Sequence, residues 1–395
     1  MFFNILIISF VVTLLLLSLY TTRALKLSLN SDKVFKITKR SFFGVVVLIL
    51  FFLFLEFVSR YFGLGLKYTD RAAVLGWMTL SIPMLVLVLL SIPVEIAELI
   101  AKIKLKKIRQ VILGITIFML CYVVYSFLTP STNYETRHVD IKVNNLPEAL
   151  EGFTILQLSD IHIGNLTETE KEALETKLIE QCNSLNPDIL VLTGDLITHS
   201  PSEIIGNDGF LGKLKAKYGK YFIYGNHDIG MYNHHLNSEE LQADIDTIAS
   251  IMTNNDFIVV SDSLVTLDID NDCLYILGVD EISKKDYMRK YDSITQSLIG
   301  SDIVVSLSHD PKFYSMILET PDAYVPQLTL AGHTHASQFE VLGFSVSDYV
   351  FKYARDLYEE NGKYLYVNRG LGYHFYRRIG SKPEITLLKL TRNVL

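Results

Sequence analysis

Five short polar clusters punctuate the chain from residue 160 onward, each following an apolar run. They are Asp160-Ile161-His162, Gly194-Asp195, Gly225-Asn226-His227-Asp228, His309-Asp310 and Gly332-His333-Thr334-His335. Together they offer carboxylates, an amide oxygen and imidazoles, and none contains cysteine. Mixed carboxylate and imidazole donors suit borderline divalent ions such as manganese, iron or zinc. The supply exceeds the needs of one ion, so two ions sharing a carboxylate are expected. Two ions about 3.5–4 Å apart can stabilise both the attacking and the leaving oxygen of an in-line phosphoryl displacement. No Walker-type lysine loop and no G-x-S-x-G elbow occurs, so nucleotide-driven transport and serine hydrolysis lack support.

Such clusters need rigid elements behind them. Phe153–Leu158, Ile189–Leu192, Lys220–Tyr224, Ile303–Leu307 and Gln327–Leu330 read as buried strands. Each cluster lies just past a strand end, where open α/β sheets bind ligands. Asp160 and Asp195 are 35 residues apart, and Asp195 and Asn226 are 31 apart, each about one strand–helix–strand unit. A helix from about Thr167 to Ser184 opens on a capping-box pattern, Thr167 and Glu170, and its apolar stripe makes Cys182 a core residue. Further helices are expected near Phe210–Tyr218 and Glu239–Met252, and a hairpin over Leu264–Ile269 and Cys273–Leu277. Later strands are Phe257–Val260, Tyr364–Val367 and Glu384–Leu390. The glycines before Asp195, Asn226 and His333 are expected to allow sharp turns. The mix predicts an α/β fold, a layered sandwich of stacked β-sheets flanked by helices. His138 reads as linker, His199, His234 and His235 as loop residues, and His374 as a side candidate for approaching substrate.

In order, Asp160-x-His162, Gly194-Asp195, Gly225-Asn226-His227-Asp228, His309 and Gly332-His333-x-His335 resemble the calcineurin-like metallophosphoesterase superfamily, over about residues 153–390. The resemblance implies one ion on Asp160, His162, Asp195 and His335, and another on Asp195, Asn226, His309 and His333. Manganese is the foremost candidate, with iron or zinc as alternatives. It also implies that His227 assists phosphate binding and leaving-group protonation, with Asp228 orienting it. The segments Tyr366-Val367-Asn368-Arg369-Gly370-Leu371-Gly372 and Pro383-Glu384-Ile385-Thr386 are similar to the membrane-associated bacterial branch. That branch includes UDP-2,3-diacylglucosamine pyrophosphatases and transmembrane metallophosphoesterases. One departure stands out: members commonly continue GHTH with Gly-Gly-Gln, whereas this chain has Ala336-Ser337-Gln338. The implied activity is cleavage of a phosphoester or phosphoanhydride by in-line attack of a metal-bound hydroxide. The expected substrate is a lipid-linked phosphate, either a phospholipid or a nucleotide-linked lipid, and no nucleic-acid partner is expected. The alternatives are a soluble phosphodiester or monoester, or a non-catalytic membrane sensor, which would not need to keep His227.

The first third of the 395 residues is a different object. Residues 1–130 hold 14 Lys and Arg against 5 Asp and Glu, a balance of +9; the remainder holds 22 against 38, a balance of −16. Four apolar runs, about residues 2–20, 42–62, 72–94 and 111–128, match the ~30 Å hydrocarbon thickness. The expected organisation is a transmembrane region over 1–128 with four helices, a linker over 129–137, and the metallophosphoesterase domain over 138–395. Basic residues crowd the first and third loops, which the positive-inside rule puts in the cytoplasm. The catalytic domain then lies outside the cytoplasm of a multi-pass protein, in a bacterial cell membrane if the branch resemblance holds. Lys102–Arg109 reads as a topology signal, Glu56 as an interfacial residue, Cys121 as apolar filler, and Pro83 and Pro93 as kinks or ends of the third span. Residues 339–376 carry 11 of the chain's 45 aromatics, interleaved with Lys352, Arg355 and Arg369 and followed by Arg377 and Arg378. They read partly as a packed second sheet and partly as a membrane-facing rim.

Overall fold

The structure, a computed structural model, describes the backbone of residues 2–62, 69–231, 237–280, 284–341, 343–374 and 377–393. Within these, the side chains of 2–10, 52–53, 55–62, 69–78, 284–287 and 341 are left undescribed. His234, His235, Phe375 and Tyr376, and the side chain of Glu56, therefore lie outside the described residues. The chain divides into two units, Met1–Thr129 and Pro130–Leu395.

The first unit is helical: α1 (Phe2–Ser28), α2 (Asp32–Phe62), α3 (Thr69–Ala101) and α4 (Lys106–Leu128). Among the described residues, three helices are long and apolar enough to cross a membrane, through Val11–Ser28, Thr79–Ala101 and Lys106–Leu128. The helices outrun the apolar segments, so the basic residues of the first loop sit on helix ends around a turn of only Leu29-Asn30-Ser31. Both Pro83 and Pro93 lie inside α3 and neither ends it. Arg109 departs from the expected basic run. It is buried, with a guanidinium nitrogen 2.6 Å from Glu98 Oε2 and another 3.7 Å from Glu95 Oε1. Glu98 Oε1 also accepts the Leu105 N–H at 2.7 Å, so this carboxylate ties α3 to the turn before α4. Cys121 lies on the exposed surface of α4.

The second unit contains fourteen strands among its described residues. In chain order they are β1 (Glu135–Val143), β2 (Thr154–Leu158), β3 (Ile189–Thr193), β4 (Lys220–Ile223), β5 (Phe257–Val259), β6 (Ser263–Ile269) and β7 (Asp272–Val279). There follow β8 (Ile303–Ser308), β9 (Leu328–Ala331), β10 (Glu340–Val341), β11 (Phe344–Ser345), β12 (Asp356–Glu360), β13 (Lys363–Val367) and β14 (Glu384–Arg392). One six-stranded sheet has the order β1-β14-β2-β3-β4-β5 and the other β12-β13-β9-β8-β7-β6. The run β2-β3-β4-β5 is parallel, as is β7-β8-β9-β13, so both sheets present several carboxyl ends along one edge.

The continuous apolar runs follow from burial on both faces. In β3, Ile189 and Val191 join the layer between the sheets, while Leu190 and Leu192 face the outer helices. Val305 and Leu307 of β8 enter the same central layer, and Val304 faces the opposite outer layer with Phe313 and Ile317. Each such side chain contributes about 1.5–3 kcal/mol on burial. Cys182 is fully buried in the first outer layer.

Several boundaries differ from expectation. β1 begins at Glu135, inside the segment read as linker, and it carries His138; it pairs in parallel with β14 nearly 250 residues later in the chain. The helix expected over Phe210–Tyr218 is confined to Gly209–Lys213. Beyond it, the N–H groups of Lys217 and Tyr218 bond to the carbonyls of Pro187 and Asp188, which draws the chain out towards β4. The capping box of Thr167 and Glu170 is present, and its helix runs on to Ser184 through a π-turn at Leu174–Leu178.

Candidate dimetal centre

The loops beyond the strand ends continue to bond to one another. Asp160 N–H donates to the Gly194 carbonyl at 2.9 Å, His162 N–H to that of Asp195 at 3.0 Å, and Gly332 N–H to that of His309 at 3.0 Å. Gly372 N–H closes the ring on the Asp160 carbonyl at 2.7 Å. Asp160, His162, Asp195, His333 and His335 all have left-handed backbone, with φ of 51°, 45°, 55°, 71° and 52°. Each costs roughly 1 kcal/mol or more, and such strain collects where the surroundings over-determine a functional geometry. Of the three glycines expected to make turns, only Gly194 has a positive φ, 85°. Gly225 and Gly332 serve a different need: a Cβ there would overlap the carboxylates of Asp195 and Asp160.

The side chains converge in two groups. Potential ligand atoms of Asp160, His162, Asp195 and His335 all lie within 4.8 Å of one another, as do those of Asp195, His309 and His333. Asp195 belongs to both. Its Oδ2 is 3.0 Å from His309 Nε2 and 3.5 Å from His162 Nε2. His162 Nε2 and His335 Nε2 are 3.0 Å apart, and His335 Nε2 is 3.3 Å from Asp160 Oδ1. In the second group His333 Nδ1 lies 2.8 Å from Asn226 Oδ1 and 3.3 Å from His309 Nε2. All seven sequence-selected donors are thus gathered, and all are buried except His333, which is half-buried.

Burial governs the protonation here. It holds the imidazoles of His162 and His335 well below their ordinary range, and that of His333 down to about 4. Neutral rings keep a lone pair for a metal. Burial, with Asp195 beside it, raises Asp160 to about 6 although His309 opposes this. His309 is the exception: burial disfavours its charge, but the Asp195 carboxylate overrides that and raises it well above the usual range. Its Nδ1–H donates to the Thr193 carbonyl at 2.8 Å, which aims Nε2 at Asp195. Facing ring nitrogens on His162 and His335, in a buried group that also holds two carboxylates, fit a cation. The cysteine-free donor set fits manganese, iron or zinc.

Two roles come out differently from the sequence reading. Asp228 does not reach the ring of His227. Its carboxylate accepts the N–H groups of Leu196, Ile197 and Gly225 at 2.9, 3.1 and 2.9 Å, so it holds the loops in shape. The nitrogen that orients His227 is Nδ1, whose N–H donates to the Thr198 carbonyl at 2.7 Å. Asp195 Oδ1 accepts the backbone N–H of His227 at 2.9 Å. His374, only a side candidate in sequence, lies against the site. Its ring centroid is 4.4 Å from that of His227 and 5.4 Å from that of His162, and burial, with His227 near, lowers it to about 3. Its loop is braced by Arg378, whose buried guanidinium donates to the carbonyls of Arg369, Gly370 and Gly372 at 2.7, 2.8 and 2.6 Å. No spacing pattern links either residue to the donors. In place of Gly-Gly, Ala336 and Ser337 take φ of 49° and 51°, so the loop keeps a backbone suited to glycine despite its side chains.

Comparison with known proteins agrees with this geometry. Residues 153–337 match the family model described as calcineurin-like phosphoesterase. The chain is 31% identical over 274 residues to the uncharacterized metallophosphoesterase YkuE of Bacillus subtilis, covering 67% of this chain and 87% of that protein. It is 27% identical over 297 residues to a transmembrane protein with metallophosphoesterase domain of Danio rerio, covering 71% of this chain and 63% of that longer protein. It is 26% identical over 302 residues to the UDP-2,3-diacylglucosamine pyrophosphatase LpxG of Chlamydia trachomatis, covering 62% of this chain and 86% of that protein.

Proposed function

Because the chain belongs to the calcineurin-like phosphoesterase family, we propose that this metal-dependent phosphoester hydrolase acts on a phosphate carried by a membrane lipid. The observation that carries the chemistry is the convergence of seven donors from five strand-end loops, with Asp195 common to both groups. Two divalent ions, manganese foremost, would when bound supply the Lewis acidity that activates the attacking water and neutralises the phosphoryl oxygens. Asp160, His162, Asp195 and His335 would hold one, and Asp195, Asn226, His309 and His333 the other. The residues are preset for this: their backbones are locked by the loop-to-loop bonds, so little reorganisation accompanies reaction. His227 is the proton carrier. Its Nδ1–H donates to the Thr198 carbonyl, so Nε2 is the nitrogen that would carry the proton to the departing oxygen.

The lipid assignment is supported by the three apolar helices of the first unit and by the similarity to a protein named for a diacylated nucleotide sugar. A nucleotide-linked lipid or a phospholipid is the class that fits. The apolar run within α2 supplies a fourth span, and the basic helix ends around Leu29–Ser31 and over residues 102–109 favour the second unit on the non-cytoplasmic side. The test is turnover by the full-length, manganese-loaded protein in vesicles, on lipid pyrophosphates against aryl phosphates and soluble diesters. A kcat/KM at least about tenfold higher for lipid is expected. Equal or better use of the soluble esters overturns the lipid assignment, and hydrolysis of neither favours a sensor.

A further inference from the structure

Burial divides the aromatic segment after His335 into two populations. Tyr353, Tyr364, Tyr366 and Tyr373 are buried, and Tyr353 stacks edge-on between Tyr314 and Tyr358 in the outer layer of the second sheet. Of the interleaved cations, Arg369 and Arg378 are buried; only Lys352 has a largely exposed side chain, at 61%. Among the described residues, a broad membrane-facing rim is therefore not present. What remains is narrow: the β10–β11 hairpin and the short helix Ser347–Val350 expose Phe344 at 66%, Val346 at 53%, Tyr349 at 81% and Val350 at 67%. Among the described residues of the second unit, the other exposed large apolar side chains, such as Ile205, Ile258 and Ile299, stand singly in the chain.

This tip is held rigidly. Arg355 bonds to the Gly343 carbonyl at 2.7 Å and to both oxygens of Asp348 at 2.9 and 2.8 Å, and it pairs with Glu340 at 2.8 Å. Ser345 Oγ donates to the Ala336 carbonyl at 2.6 Å, fastening the tip to the loop that carries His335. The acidic groups at its base are thus neutralised, and the apolar side chains are held outward. A cluster of this kind marks an interaction surface.

We propose that the Phe344–Val350 tip docks into the headgroup–acyl boundary of a lipid bilayer. Aromatic rings favour that depth, and among its described residues the tip carries no unpaired acidic group to oppose it. Lipid, rather than another protein, is the occupant because the same chain carries membrane-length apolar helices. Only six residues separate the last of these, ending at Leu128, from β1 at Glu135, at most about 3.5 Å each. The docking deepens the lipid-substrate reading and rests on it for its purpose.

The test does not depend on substrate. In full-length protein with its one tryptophan removed (Trp77→Phe), Tyr349→Trp and, separately, Val350→Trp are reconstituted in phosphatidylglycerol–phosphatidylethanolamine vesicles. Ile299→Trp, exposed at 62%, is the control. Brominated acyl chains should quench residues 349 and 350 at least about twofold more than 299, and aqueous acrylamide should do the reverse. Acrylamide access without bromolipid quenching overturns the proposal. So does shielding from both quenchers, which would mean that a protein surface covers the tip. Aryl phosphate hydrolysis by the wild type, measured alongside, reports separately on the phosphohydrolase reading.

Discussion

His227 and Asp195 touch through a backbone N–H, yet removing their side chains should have different consequences. Nothing in the metal groups includes the His227 ring, so His227→Ala should retain both ions while turnover falls roughly 10²–10⁴-fold, the usual worth of an acid–base group. Metal analysis and steady-state kinetics on one preparation check this, and near-wild-type turnover would remove His227 as the acid. Ser337 makes a separate point. With φ of 51° it holds a conformation disfavoured by roughly 1–2 kcal/mol for a residue with a side chain. Part of that relief is offset in Ser337→Gly by the freer unfolded chain, leaving a stabilisation of about 0.5–1 kcal/mol, readable as a raised melting temperature. The metal donors were legible because carboxylates and imidazoles beyond apolar strands have few other uses in that order. His374 was not: it arrives from a loop about forty residues past His333, with only an Arg378 clamp to guide it. Asp228 was misread because adjacency to His227 in sequence says nothing about which backbone groups its carboxylate meets.

The elements that were hardest to read are those whose partners are distant. β1 alternates as Val139, Ile141 and Val143, but its other side chains are largely solvated and its ladder partner is β14. No local signal fixes such an edge. Fully buried strands are legible from their aliphatic runs, Ile189–Leu192 in β3 without a break and Ile303–Leu307 in β8 broken only by Ser306. Arg109 likewise looked like one more basic residue until α3 brought Glu98 to it. The end of β7 carries a pH-sensitive feature. Asp280 accepts from Ser261 Oγ, its N–H donates to Asp262 at 3.1 Å, and its Oδ1 is buried with no hydrogen-bond partner among the described residues. Burial, partly opposed by Ser261, raises its carboxyl to about 7. A carboxyl raised in the folded state keeps its proton there after the unfolded chain has lost it. Its contribution is therefore complete below about pH 4 and is lost as pH rises through about 7. Melting temperatures of wild type and Asp280→Asn, followed from pH 5 to 8, should show the variant gaining relative to wild type as pH rises. A difference independent of pH would contradict this.

At the scale of the whole molecule, an acidic hydrolase unit is joined to a basic, apolar helical unit. The basic residues of the first and third loops predict that a reporter fused at residue 132 reads non-cytoplasmic; a cytoplasmic reading would reverse the orientation and favour a cytoplasmic nucleotide–lipid substrate. The central claim, however, is that one buried carboxylate serves two ions. Metal content of the full-length protein, stripped with chelator and reloaded with manganese, tests it most directly when wild type and Asp195→Ala are compared. The account predicts about two ions per wild-type chain, with hydrolysis returning as they bind, and loss of both ions from a variant that remains folded by circular dichroism. Two ions still bound to folded Asp195→Ala, or wild-type hydrolysis that persists without metal, would contradict it.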